Sequence, residues 1–145
     1  MNTAAILRSI TTSTSRYEER ADGVIVQRLL TTRTQTLTDA RENTAALVRI
    51  AGGVARRVLI DIRITRALQP GVREHYADSD LGKCCAAVAL LAATPSSHQL
   101  CRYYLDMNTK GRRLPMTLFT DEAEAIGWLH HVTSDQPTFA GSASL

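Results

Sequence analysis

Arg57-Val58-Leu59-Ile60-Asp61-Ile62-Arg63-Ile64 constrains the fold more than any other stretch of this chain. It is β-rich and aliphatic, with no polar alternation until Asp61. A strand with one wet face alternates apolar and polar residues. A strand buried on both faces does not, and parallel sheets sandwiched between helices hold such strands. Residues 58–64 are therefore expected to be the central strand of a mostly parallel sheet.

The flanking segments fit that frame. Residues 14–20 and 24–30 border Ala21-Asp22-Gly23, and Asp-Gly between two β-rich runs predicts a hairpin. Thr36-Leu37-Thr38-Asp39 offers a capping box, after which Ala40, Thr44, Leu47, Val48 and Ala51 fall at helical spacing. Gly52-Gly53 ends that helix, because glycine takes the left-handed cap without steric cost. Pro70 suits the first turn of a second helix, with Val72, Tyr76 and Ser79 on one side and an end before Gly82. Residues 84–93 read as the next buried strand. Thr94-Pro95 reads as a cap and first helical position, opening a helix to about Met107 that turns Leu100, Tyr103 or Tyr104, and Met107 inward. Residues 115–119 read as the last strand. Asp121 and Glu124 then offer a second capping box, with Ala125, Trp128, Leu129 and Val132 on the core face of the last helix.

The expected architecture is α/β, ordered β-β-α-β-α-β-α-β-α. It has a mostly parallel sheet of four or five strands, an N-terminal hairpin supplying the antiparallel edge, and four helices. At 145 residues the chain fits one domain, placed at residues 14–132, and needs no disulfide or metal staple. Residues 1–13 and 133–145 are expected to be loose. The first 15 residues are Ser/Thr-rich and acid-free, faintly like a transit peptide, but lack the apolar core of a secretory signal, and a frayed tail is the reading taken. The last 13 are small and polar, broken by Pro137 and Gly141.

Composition excludes several function classes. The longest apolar run, residues 84–93, is half the length of about 20 residues that a membrane span needs. Three cysteines, two of them adjacent at Cys84-Cys85, make no disulfide framework, and free thiols point to a reducing cytoplasm. The net charge of +3 is spread along the chain rather than gathered on one arm, so no nucleic-acid partner is expected.

The order of elements over residues 14–132 resembles the STAS-like superfold. That group includes anti-sigma-factor antagonists, sulfate-transporter tails and, more distantly, CRAL-TRIO lipid-binding domains. More narrowly, the chain is similar to a family of small uncharacterised bacterial STAS-like proteins. The resemblance is carried by Val58-Leu59-Ile60-Asp61-Ile62-Arg63, by Ala89-Leu90-Leu91-Ala92-Ala93-Thr94-Pro95-Ser96-Ser97, and most specifically by Pro115-Met116-Thr117-Leu118-Phe119-Thr120-Asp121-Glu122-Ala123-Glu124-Ala125-Ile126-Gly127-Trp128-Leu129. It implies a non-enzymatic module that binds a protein partner in bacterial signalling. One departure stands out. Phosphorylatable STAS proteins carry a serine at the start of the helix after the central strand, and Gln69-Pro70-Gly71-Val72 holds that place here. Phosphate switching at that helix is not expected.

The candidate binding residues follow from position. Asp61, Arg63, Thr65 and Arg66 lie at or past the carboxyl end of the central strand, where open α/β sheets receive ligands and partners. Arg there holds carboxylate or phosphate bidentately. The plainer reading is a capped loop with solvated arginines. Ser96 and Ser97 open a helix at another strand's carboxyl end, where free amides favour an anion, although simple capping explains them too. No catalytic residues are assigned, since Ser97 and His98 point about 100° apart on a helix and no nucleophile elbow exists. No cofactor is implied. His75, His130 and His131 are too few and badly spaced for a metal site.

Tyr103, Tyr104, Leu105 and Met107 together exceed one inward face of a helix. Tyr103, Tyr104 and Met107 are accordingly expected at a homodimer contact. Two functions compete with partner binding. A small-ligand or lipid site would need an apolar pocket of about 300 Å³ or more, whereas a filled core would favour the partner. An enzyme would need polar groups with perturbed pKa values converging in one cleft.

Overall fold

The run at the centre of the sequence forms strand β4 (Arg56–Asp61), and its neighbours confirm why it is apolar on both sides. It lies between β3 (Val24–Leu29) and β5 (Cys85–Leu91), parallel to both. The structure, a computed structural model, describes residues 4–64, 67–78, 81–111 and 113–132. Six strands make one sheet in chain order, from β1 (Ile6–Thr11) and β2 (Ser15–Arg20) through β3, β4 and β5 to β6 (Met116–Phe119). β1, β2 and β3 pair antiparallel, and β3 to β6 pair parallel. Gly23, at φ +89°, makes the tight turn between β2 and β3 that the Asp-Gly pair predicts.

Helices cover both faces. α1 (Leu37–Ala51), α2 (Val72–Asp78), α3 (Leu81–Cys84) and α4 (Pro95–Lys110) lie on one side, and α5 (Glu122–His131) lies on the other. Alternation along the strands divides the core. Ile25, Val58, Val88 and Leu90 face α1 and α4 together with Tyr17. Val24, Val26, Leu59, Ala87, Ala89 and Leu91 face Ala125, Ile126 and Leu129 of α5.

Local signals set the helix ends. The Thr36 side chain accepts from the Asp39 amide while the Asp39 carboxylate accepts from the Thr36 amide, which is the expected capping box. Gly52 closes α1 in the left-handed conformation at φ 68°. Asp121 caps α5 through the amide of Glu124.

Four expectations are corrected. The sheet has six strands rather than four or five, because residues 6–11, read as part of a frayed tail, form the edge strand β1. Its outer surface is exposed and gives no burial pattern. It is held by pairing with β2 and by Arg8, whose guanidinium bonds Glu19 and the carbonyl of Ile50. There are five helices among the described residues rather than four, since α3 is a single turn too short to show a period. Cys84, read as the first residue of the strand, closes that turn. The buried stripe of α1 includes Asn43, Ala46 and Ile50, while Val48 is 44% exposed. A polar residue at the centre of the stripe hid its true direction. Ser79, expected on the same side of the second helix as Val72 and Tyr76, lies outside the described residues.

Candidate functional site

Asp61 and Arg63 do come together, at the end of β4 and on the α5 side of the sheet. The Asp61 carboxylate accepts from Arg63 at 2.8 and 3.0 Å and from Arg28 Nη1 at 3.0 Å. Glu122, the first residue of α5, accepts two bonds from Arg28 at 3.0 and 2.8 Å and one from Arg63 at 3.2 Å. Two guanidinium groups and two carboxylates thus close on one another. Burial works against the Asp61 carboxylate, but Arg63 and Arg28 outweigh it and hold its pKa below the ordinary value. The Arg28 hydrogen bond does the same for Glu122, against a smaller opposing effect of burial. Both arginine forks are filled by the protein's own acids, so this cluster is a clasp between β3, β4 and α5. Arg28 and Glu122 escaped the sequence reading because they come from distant segments. Thr65 and Arg66 lie outside the described residues.

The start of α4 is equally occupied. Ser97 is fully buried, and its hydroxyl accepts from the amides of Ala93 and Thr94, both at 2.8 Å, while donating to the Thr94 carbonyl. Its own amide donates to Thr94 Oγ1 at 3.1 Å, completing a capping box. Ser96 is exposed beside it on the first turn. His98 donates Nδ1–H back to the Thr94 carbonyl. The histidines of the second half sit apart: His75 beside Thr44, His130 beside Asp22, and His131 on the Gly127 carbonyl.

The opposite face of the sheet holds a cavity of about 180 Å³. Its floor is Tyr17, Gln27, Leu29, Ile60, Ile62, Val88, Leu90 and Met116, from β2 to β6. Its walls are Leu47 of α1, Tyr76 and Ala77 of α2, and Leu100, Tyr104, Met107 and Asn108 of α4. Ile64, Leu68 and Leu114 close it from connecting segments. Ile64 is 47% exposed. No charged side chain lines it among the described residues.

Most of its polar atoms are occupied. Asn108 donates to the Leu114 carbonyl at 2.8 Å and accepts from the Leu114 amide at 2.9 Å. The Tyr76 hydroxyl accepts from Gln35 at 2.7 Å and from Asn43 at 3.1 Å. Two of the side chains expected at a homodimer contact lie along this cavity. Tyr104 and Met107 are half-buried in its wall, and Tyr103 packs on Tyr104 with the Arg73 guanidinium 5.3 Å from its ring centre. Tyr103, Tyr104, Leu105 and Met107 each keep part of their surface exposed. The sequence did carry a signal for the cavity, in the apolar residues Ile64, Leu68 and Leu114 standing in segments that connect elements.

Among the described residues, no helix is long and apolar enough to cross a membrane. No curated protein matches the chain. Among solved structures, it is similar to an uncharacterised protein of the DUF3478 family from Shewanella loihica PV-4, described as having a SpoIIAA-like fold. The two are 19% identical, the match covers 89% of this chain and 95% of that one, and the TM-score is 0.55. The likeness establishes a SpoIIAA-like, and so STAS-like, α/β fold. A family model spans residues 18–133, from within β2 to just beyond α5, and the chain therefore belongs to the family described as a domain of unknown function, DUF7793.

Proposed function

We propose that this protein is a non-enzymatic binding module that takes a small apolar molecule into the cavity between the sheet and helices α2 and α4. The observation that carries the reading is the cavity itself: apolar, and lined without charge among the described residues. At about 180 Å³ it lies below the ~300 Å³ at which drug-sized sites begin. It exceeds the roughly 150 Å³ that suffices for benzene in an apolar core. The size therefore favours a ligand of one ring or a short chain. A protein partner is the weaker reading, because Asp61 and Arg63, two of the residues expected to meet it, already bond each other and Arg28 and Glu122. The charged clasp at the carboxyl end of β4 adds little to either, since its groups already satisfy one another.

Ligand-observed NMR with toluene and other single-ring compounds tests the proposal. Binding should be saturable and should vanish in Val88→Phe, which fills the floor of the cavity. Ala77→Leu narrows the opposite wall and serves where Val88→Phe fails to fold. Binding that survives a folded cavity-filling variant would place the ligand elsewhere, and no binding by any compound would refute the reading.

A further inference from the structure

We infer that the ligand is neutral, about the size of a single substituted ring, and carries a hydrogen-bond donor that the Gln27 side chain receives. The inference rests on the ligand-binding reading above and narrows it. Across the sheet, one row of paired residues that line the cavity runs Tyr17, Gln27, Ile60 and Leu90. Gln27 is the carboxamide in an otherwise apolar and aromatic row, on an interior strand with β2 and β4 hydrogen-bonded on either side.

A glutamine in such a position costs desolvation unless its amide finds partners. Gln27 finds little within the protein. Nε2 donates to Ser15 Oγ at 3.5 Å, the long limit of a hydrogen bond, and among the described residues Oε1 accepts none. Asn108, the other carboxamide in the wall, has both its oxygen and its nitrogen engaged by Leu114. Gln27 thus presents an unused acceptor to the cavity. A hydroxyl or N–H on the ligand satisfies it, and a purely apolar ligand does not.

The lining also argues against an acid. Among the described residues no Lys, Arg or His side chain lines the cavity to balance a carboxylate or phosphate. A charge buried without a partner is strongly disfavoured. A phenol-like or indole-like molecule fits all three conditions of volume, neutrality and one donor.

Three probes of nearly equal shape separate the possibilities: p-cresol, toluene and 4-methylbenzoate, titrated at pH 7 into the wild-type chain and followed by amide chemical shifts. One neutral hydrogen bond predicts that p-cresol binds about 3- to 10-fold tighter than toluene. The benzoate should show no saturation where p-cresol is saturated. In Gln27→Leu the p-cresol advantage should disappear while toluene binding is kept or tightened. Equal binding of p-cresol and toluene to the wild type would overturn the role of Gln27 while leaving the ligand-binding reading intact. Binding of the benzoate as tight as p-cresol would overturn neutrality. Failure of all three would overturn both this inference and the reading it rests on. The wild-type comparison stands even if Gln27→Leu does not fold.

Discussion

Replacing Asn43 with Ala should cost about 2–3 kcal/mol of stability, a large effect for a polar residue in a helix. Asn43 lies in the buried stripe of α1 and is fully inaccessible. It accepts from Thr12 Oγ1 at 2.5 Å and donates to Thr14 Oγ1 at 2.9 Å and to the Tyr76 hydroxyl at 3.1 Å. One side chain thus ties the turn between β1 and β2 to α1 and to α2. Three neutral hydrogen bonds at a net ~1 kcal/mol each set an upper value of about 3 kcal/mol. The loss is softened because the Thr12 hydroxyl can turn to the Ser15 carbonyl, 3.2 Å away. Tyr76 also keeps its bond from Gln35. Urea unfolding measures the difference, and an unchanged m-value shows that the same surface is exposed. Asn43→Asp sharpens the test. It keeps the shape but removes both donors and brings a carboxylate into a fully buried site, so it should destabilise at least as much as the alanine. A loss under about 1 kcal/mol for Asn43→Ala, or a milder effect of Asp than of Ala, would refute the bonding scheme.

Acid should weaken the protein through Asp39, whose carboxyl is held at about 2, below its ordinary value of 3.8, first by the hydrogen bond from Arg33 and against the opposing effect of burial. Its contribution is full above pH 4 and lost as pH falls through about 2, because the unfolded chain binds the proton first; Asp39→Asn should flatten that part of a Tm-against-pH curve. Alkali should weaken it through Cys101, whose thiol burial pushes up to about 11, from an ordinary value of 9.0. Between those pH values the unfolded chain has released the proton and the folded chain has not, so stability falls as pH rises, and Cys101→Ala should blunt the fall. A thiol reagent at neutral pH should label Cys84 well before the buried Cys85 and Cys101, as mass spectrometry of the native protein would show. Arg28→Met leaves Arg63 alone between Asp61 and Glu122 and should cost about 1–2 kcal/mol in urea unfolding without changing toluene affinity, since the clasp and the cavity lie on opposite faces.

What the sequence made legible is what local physical chemistry decides. The Asp22-Gly23 turn, the Thr36–Asp39 box, the Gly52 cap and the Thr94 cap are each set by two or three adjacent residues, and each stands where the pattern put it. The two-faced apolar run is an interior strand because only burial on both sides explains it. What stayed hidden depends on residues far apart in the chain. β1 owes its place to pairing with β2 and to one arginine, not to a burial pattern of its own. The α1 stripe runs through Asn43, polar in sequence yet buried for its partners on two other segments.

The candidate site shows the same division within a single segment. The rule that α/β sheets receive ligands beyond the carboxyl ends of their strands drew attention to Asp61 and Arg63. Alternation sends those side chains to the α5 face, where Arg28 and Glu122 complete a clasp that leaves both arginine forks filled. The residues between and beside them, Ile60, Ile62 and Ile64, point the other way, into the cavity. The carboxyl end of β4 thus carries a charged cluster on one face and the apolar cavity on the other. Polar side chains attract the eye in a sequence because they are chemically capable. Here their capability is spent on holding β3, β4 and α5 together. The cavity lies behind the aliphatic residues, with Gln27, paired directly with Ile60 on the neighbouring strand, in its lining.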